Sequence, residues 1–263
     1  MELAGRRALV TGANRGLGEQ FVEALLARGV VRVYAGARNT DALAPLVAQH
    51  GGRVVPVQLD VTHRGDVQEA VRRHDDVDLL VSNAGQPCAG PVLATADESS
   101  FRSVFEVNFF GPLALVQAFG PQLRARRGGV LFILSLSALV ISRSSPIYSA
   151  SKAAAMMLAT GVRSELKDDG VVVTSSFPGP MDTRVTAGWD MPKASPRLVA
   201  DRSLDAWQAE RTTVFPDRLA ELAEHAVLSN MDAVLGNPQE MMTELVVAFR
   251  SEAQAGPGHG GQA

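Results

Sequence analysis

Short runs of β-branched and aliphatic residues recur along the chain and alternate with stretches whose apolar positions fall three and four apart. The runs at 7–11, 31–35, 54–59, 78–82, 130–135 and 171–177 have the length and Val/Ile/Leu content of strands covered on both faces. Between them, 16–28, 40–50, 65–74, 99–126 and 147–167 carry helical spacing. Strands that alternate with helices are joined by right-handed crossovers into a parallel sheet with helices on both faces. Ligands of such doubly wound α/β sheets bind at the carboxyl ends of the strands.

Past Pro178 the alternation stops. Residues 183–216 are rich in Pro, Asp, Arg and Trp, and their place beside the strand ends predicts an irregular lid over a site. Trp189 and Trp207 either line a pocket under that lid or pack it onto the body. An amphipathic helix is expected near 217–229 and a further helical run at 239–250. Residues 1–252 read as one domain, and 253–263, Gly-rich from 256 onward, as a disordered tail.

A chain of 263 residues with 46% hydrophobic content can bury one sizeable core. Its net charge of −3, with acids and bases interspersed, gives no basic surface for nucleic acid or an anionic membrane. No apolar run reaches the roughly 20 residues of a membrane helix. The lone cysteine, Cys88, has no intrachain partner, so a reducing, cytoplasmic setting is expected. Cys88 itself reads as small apolar packing rather than a reactive thiol, and the five scattered histidines suggest no metal site.

Against this background one pair of residues carries chemistry. Tyr148 and Lys152 stand four apart within a predicted helix and so share a face. An ammonium beside a phenol favours its ionised form and brings acid/base work nearer to neutrality. Ser135 lies thirteen residues upstream of Tyr148, at the end of a strand; Ser137 offers a competing hydroxyl at eleven. Near the start of the chain, Gly12, Gly16 and Gly18 follow the first strand and open the first helix. Missing side chains there let a pyrophosphate approach a helix N-terminus.

The second strand ends in Tyr34-Ala35-Gly36-Ala37-Arg38, with no acid to bond ribose hydroxyls and repel a 2′-phosphate. Arg38, with Arg15 from the glycine loop, supplies positive charge suited to that phosphate, which predicts NADPH/NADP over NAD. Asp60 at the end of the third strand is placed to cap the following helix.

The spacing Gly-x-x-x-Gly-x-Gly, the element Asn83-Ala84-Gly85, Asn108, Ser135 and Tyr148-x-x-x-Lys152 occur in the order that resembles the short-chain dehydrogenase/reductase family, over about residues 7–183. The resemblance implies a Rossmann-like doubly wound parallel sheet of six or seven strands and a nicotinamide cofactor. Gly12, Asn14, Arg15, Gly16, Leu17 and Gly18 would then cradle it. Asp60 and Val61 would meet the adenine, and Asn83, Ala84 and Gly85 would pass the ribose. The resemblance further implies that Tyr148 is the general acid/base, Lys152 lowers its pKa and holds the nicotinamide ribose, and Ser135 bonds the substrate carbonyl. Asn108 would seat a water joining Lys152 to solvent. Pro178, Gly179, Met181 and Thr183 would hold the nicotinamide carboxamide. The family distance of thirteen residues favours Ser135 over Ser137.

The C-terminal part lacks the Val-Asp-Gly-Gly-like ending of many relatives. Whether the usual seventh strand exists is therefore open and a tetramer is in doubt, leaving a homodimer through the long fifth and sixth helices. The expected activity is an NADPH-dependent carbonyl–alcohol oxidoreductase acting on a mostly apolar small molecule. Its wall is expected from 136–143, Pro146, Ile147, the 86–92 loop and the lid. Reduction of an imine or C=C bond on the same scaffold is the alternative within enzymes, and a dinucleotide-binding sensor without turnover is the alternative outside them.

Overall fold

Alternate residues of each strand point to opposite faces, and here both faces are greasy. Ala8 and Val10 of β1 (Arg7–Thr11) enter one core, while Leu9 enters the other. Likewise Leu79 and Val81 of β4 (Leu79–Ser82) face one way and Leu80 the other. In β5 (Gly129–Ile133), Leu131 and Ile133 oppose Val130 and Phe132. Period-two burial on both sides requires a helical layer above and below.

The computed structural model describes residues 1–94, 98–141, 144–229, 236 and 238–255. Its sheet has seven parallel strands in the order β3-β2-β1-β4-β5-β6-β7. The remaining strands are β2 (Arg32–Ala37), β3 (Val54–Gln58), β6 (Val172–Ser176) and β7 (Thr213–Val214). Helices α1 (Gly16–Ala27), α2 (Ala44–His50) and α7 (Pro196–Gln208) contribute to the structure on one side. Helices α3 (Arg64–Arg73), α5 (Gly111–Ala125) and α6 (Pro146–Leu166) cover the other. The strand order reverses between β1 and β4, which opens a crevice at their carboxyl ends.

Of the six or seven strands expected, seven form: β7, two residues long, pairs with β6 through Ser175–Thr213 and Ser176–Val214. It lies inside the segment expected to be a lid, as does α7, whose Val199, Ala200, Leu204 and Trp207 are fully buried in the core. Apolar residues three and four apart explain why 196–208 is helical; the Pro, Asp and Arg content had masked that spacing. Trp207 is therefore a core residue, and Trp189 is 51% exposed. What stays irregular is chiefly 182–193, a loop closed at its base where Met181 bridges Ala194 and the Asp182 N–H donates to the Ala194 carbonyl at 2.9 Å.

The helix expected at 99–126 is two α-helices, α4 (Glu98–Phe105) and α5, joined by a π-helical turn at Glu106–Phe110. Helix α8 (Arg218–Ser229) and the last helix, α9 (Pro238–Ala255), form a third apolar cluster. In it Leu219, Ala223, Met241 and Leu245 pack on Leu136 and Val140. Residues 253–255 thus continue a helix, while 256–263 lie outside the described residues. No helix is long and apolar enough to cross a membrane among the described residues.

Candidate active site

The cofactor and catalytic residues expected from the sequence, Asn108 apart, fall at or beyond the carboxyl end of a strand or on a helix that starts there. The glycine loop joins β1 to α1, Arg38 follows β2, and Asp60 and Val61 follow β3. Asn83 to Gly85 follow β4, Ser135 follows β5, and Pro178 to Thr183 follow β6. Tyr148 and Lys152 occupy the first turns of α6.

The glycine loop has the form of a phosphate cradle. Gly12 has φ +64°, a conformation that other residues resist, and a Cβ built on Gly18 would lie 2.0 Å from the Gly12 carbonyl oxygen. A Cβ on Gly16 would meet only the Thr183 methyl at 3.7 Å, so the loop opens toward the segment after β6. Asn83 clasps this loop to β4: its Nδ2 donates to the Thr11 carbonyl at 2.8 Å. The Thr11 hydroxyl oxygen accepts from the Asn83 and Ala84 N–H groups at 3.0 and 2.9 Å. These residues fit a dinucleotide: backbone N–H groups at a helix start, no side chain in the way, and the switch-point crevice beneath.

Arg15 and Arg38 project from loops after neighbouring strands, both exposed, and neither guanidinium forms an ion pair among the described residues. Asp60 does not cap α3. Its carboxylate accepts from the Thr62 N–H at 2.9 Å and the Thr62 hydroxyl at 2.7 Å, a turn bond, while Asp66 reaches back to the Asp60 N–H. His63 stands at the N-cap without a side-chain cap. Val61 is buried where the close start of α5 at Gly111 meets it.

At the centre of the site the Tyr148 hydroxyl faces the Ser135 side chain, whose hydroxyl favours the ionised phenol. Ser135 Oγ also accepts from the Ser137 N–H at 3.1 Å, so the two serines divide the work: one hydroxyl faces Tyr148 and the other residue's backbone holds it. Lys152 is 5% exposed, with Nζ 5.9 Å from the Tyr148 ring centroid and donating to the Ile133 carbonyl at 3.0 Å. The expectation that Lys152 pulls the phenol pKa down is not met in the protein as it stands. Burial raises Tyr148 above the ordinary phenol value, and the nearby Ser135 hydroxyl opposes it. Burial likewise lowers Lys152 to about 8, because an ammonium loses hydration there.

Asn108 sits in the π turn, 1% exposed. Its Oδ1 accepts from the Gln86 N–H at 2.8 Å, and its Nδ2 donates to the Gln86 carbonyl at 3.0 Å and to the Ser151 hydroxyl at 2.9 Å. The Ser151 hydroxyl in turn donates to the Tyr148 carbonyl at 2.7 Å. One buried chain of hydrogen bonds therefore ties the loop after β4 to the helix carrying Tyr148. Thr11 and Ser151 were not read as site residues, and Gln86 was expected only as part of the 86–92 wall. Gln86 takes part through its backbone, which no sequence pattern reports, and Ser151 reads as a helix-surface serine. The 86–92 loop is further joined to the segment before α6 by the Gly90 N–H on the Ser144 carbonyl at 2.8 Å; residues 142–143 of the expected wall lie outside the described residues.

After β6, the Pro178 carbonyl accepts from the Leu136 N–H at 2.9 Å, which joins the Pro-Gly turn to the residue after Ser135. The Thr186 hydroxyl donates to the Met181 carbonyl, and Thr183 and Thr186 cap a short helical turn reciprocally. A further carboxylate not anticipated as a site residue, Asp217, is 4% exposed and accepts from the Gly179 N–H at 2.7 Å. Burial pushes its pKa up, and the N–H bonds from Gly179 and Ala220 act against that.

The model of the short chain dehydrogenase family matches residues 6–193. A short-chain dehydrogenase of Penicillium ochrochloron is 36% identical over 211 residues, 78% of this chain and 74% of that one. An uncharacterized oxidoreductase of Staphylococcus aureus (strain N315) is 35% identical over 215 residues, 78% of this chain and 91% of that one. Among solved structures, a short chain dehydrogenase from Burkholderia cenocepacia J2315 in complex with NADP superposes with a TM-score of 0.86. It has 37% identity and covers 91% of this chain and 99% of that chain. A short-chain dehydrogenase from Streptomyces avermitilis gives a TM-score of 0.77 at 27% identity, covering 97% and 99%. With that breadth of match, and with a glycine cradle and a Ser/Tyr/Lys centre at the strand ends, the chain belongs to the short-chain dehydrogenase family of oxidoreductases.

Proposed function

We propose that this protein is an NADPH-dependent oxidoreductase that interconverts a carbonyl and an alcohol on a mostly apolar small molecule. The observation that carries the reading is the meeting of Ser135, just past the end of β5, with Tyr148 and a buried Lys152 on α6, the Lys152 Nζ lying 5.9 Å from the Tyr148 ring centroid. Bound NADPH supplies the hydride that reaches the carbonyl carbon. The chain supplies the rest. The Ser135 hydroxyl donates to the carbonyl oxygen and holds it in line. Tyr148, a phenol that burial holds further toward its neutral form, gives its proton to that oxygen as negative charge develops. The Lys152 ammonium, 5.9 Å from the Tyr148 ring centroid, offsets the phenolate left behind. In alcohol oxidation the same groups run in reverse, with Tyr148 taking the proton.

Asn108 fixes the loop after β4 against α6, so that Gly85 runs beside Lys152: a Cβ on Gly85 would lie 3.5 Å from Nζ. Its π turn is the place where the family resemblance puts a water that returns a proton to Lys152. Arg15 and Arg38, unpaired by carboxylates among the described residues, would take the 2′-phosphate, and Asp60 and Val61 the adenine. The NADP carried by the Burkholderia cenocepacia relative supports that choice. Helices α8 and α9, which pack on Leu136 and Val140 next to Ser135, with the 182–193 loop, would roof an apolar substrate. A homodimer through α5 and α6 and a cytoplasmic setting complete the reading; Met157 on α6, 64% exposed, supports the former.

The test is NADPH consumption with ketones, aldehydes and imines side by side, repeated with NADH. Turnover of a ketone or aldehyde is expected, faster at low NADPH than at low NADH. Replacing both Arg15 and Arg38 by Ala should raise the KM for NADPH at least tenfold and leave that for NADH nearly unchanged. An unchanged NADPH preference in that variant would remove the phosphate role of the two arginines.

A further inference from the structure

The carboxylate of Asp217 occupies a place that a helix cap alone does not require. It lies at the start of α8, where Oδ1 accepts from the Ala220 N–H at 3.0 Å and the main chain closes the first turn. A cap of that kind is satisfied by Ser as well as by Asp. The second oxygen does something else: Oδ2 accepts from the Gly179 N–H at 2.7 Å, thirty-eight residues earlier in the chain. The approach is close enough that a Cβ on Gly179 would lie 2.8 Å from Oδ1, so only glycine admits the contact without movement. Side-chain burial to 4% exposure leaves no water to replace either bond.

Gly179 is the middle of a short rigid path. Before it, the Pro178 carbonyl is fixed by Leu136 N–H, next to Ser135. After it, the Pro180 carbonyl and Met181 are fixed by the Ala194 bridge and by Thr186. Asp217 is the tie from outside this path, and it comes from the helix that packs over Leu136. We infer that Asp217 is a positioning residue: it holds the Pro178–Gly179 turn so that the backbone through Met181 is set for the nicotinamide end of the dinucleotide, and thereby couples the α8 roof to cofactor seating. The inference rests on the dinucleotide reading given above. Among the described residues, the loops after β1, β2 and β3, which would hold the adenine end, share no hydrogen bond with Asp217, whose carboxylate bonds Gly179 and Ala220.

That separation gives the test. NADP+ carries both ends of the cofactor, whereas 2′,5′-ADP carries only the adenine end. Binding of each to the full chain is measured by calorimetry for wild type, Asp217→Ser, which keeps the helix cap but withdraws the oxygen from Gly179, and Gly179→Ala, which crowds the same contact from the other side. The expected result is NADP+ binding weakened roughly tenfold, about 1.4 kcal/mol, with 2′,5′-ADP binding within twofold of wild type in both variants. A cap that served only stability would lower the melting temperature and leave both affinities alike, and that outcome overturns the inference. Equal weakening of both ligands overturns it too. Should Asp217→Ser fail to fold, Gly179→Ala decides by the same criterion. A wild-type protein that binds neither ligand overturns the dinucleotide reading as well.

Discussion

Lys152 is the residue whose removal should separate stability from activity. Its side chain is 5% exposed, and burial lowers its pKa from the ordinary lysine value of 10.5 to about 8. A fall of that size corresponds to about 3 kcal/mol that the folded protein forgoes, at pH 7, to keep an ammonium buried. The sign follows from proton binding. Below pH 8 both folded and unfolded chains carry the proton and the cost is present in full. Between pH 8 and 10.5 the unfolded chain binds more protons than the folded one, so stability rises with pH from this group. Above 10.5 neither is charged and the cost is gone. Lys152→Met keeps the length and apolar stem but removes the charge and the bond to the Ile133 carbonyl, which offsets about 1 kcal/mol of the gain. The variant should therefore be about 2 kcal/mol more stable at pH 7, a melting temperature about 4–8 °C higher, and should lose its advantage as pH approaches 10.5. Thermal unfolding without cofactor at pH 7 and pH 10, set beside NADPH turnover, measures both halves. A variant less stable than wild type at pH 7, or an advantage that does not shrink with pH, would refute the reasoning.

Trp207→Ala should cost about 3–5 kcal/mol by chemical denaturation, because the ring is fully buried between α7 and the sheet. Trp207→Phe should cost far less, since it also removes a buried indole N–H that has no partner among the described residues. Gly18→Ala should abolish NADPH binding, measured by fluorescence titration, because its Cβ would lie 2.0 Å from the Gly12 oxygen and the loop must open to admit it. A variant that binds NADPH as tightly as wild type would mean that the loop does not seat the phosphates.

The sheet was legible because its strands are apolar on both faces and its helices are periodic; strands such as 7–11 and 130–135 fall within two residues of β1 and β5. Strand β2 runs two residues further than its β-branched core, through Gly36 and Ala37, because parallel pairing with β3 carries it past its own propensity. Strand β7 was not legible: Thr213 and Val214 are too few for a period, and only the edge of β6 makes them a strand. Helix α7 was hidden by its polar face. The π turn at Glu106–Phe110 was legible only through the resemblance, which implies a helix distortion at Asn108; periodicity missed it, since the Asn108 side chain bonds a residue some twenty positions away. At the site, Ser135, Tyr148 and Lys152 could be read from spacing because they sit on one strand end and one helix face. Asp217 could not, because its significance lies in a contact with Gly179 that sequence separation conceals. The direction of the Tyr148 pKa was misjudged for the same reason: spacing gives proximity to Lys152, but burial, which dominates, is a property of the whole fold.

The central claim is that Tyr148 gives the proton while the cofactor gives the hydride, and one comparison tests it most directly. Wild type and Tyr148→Phe are titrated with NADPH by fluorescence and then assayed with the best carbonyl substrate at saturating NADPH. The account predicts dissociation constants for NADPH within about threefold of one another and turnover reduced at least about 10²-fold in the variant, in keeping with loss of a positioned acid. Tyr148→Phe turning over at the wild-type rate would contradict it, whatever the cofactor affinity.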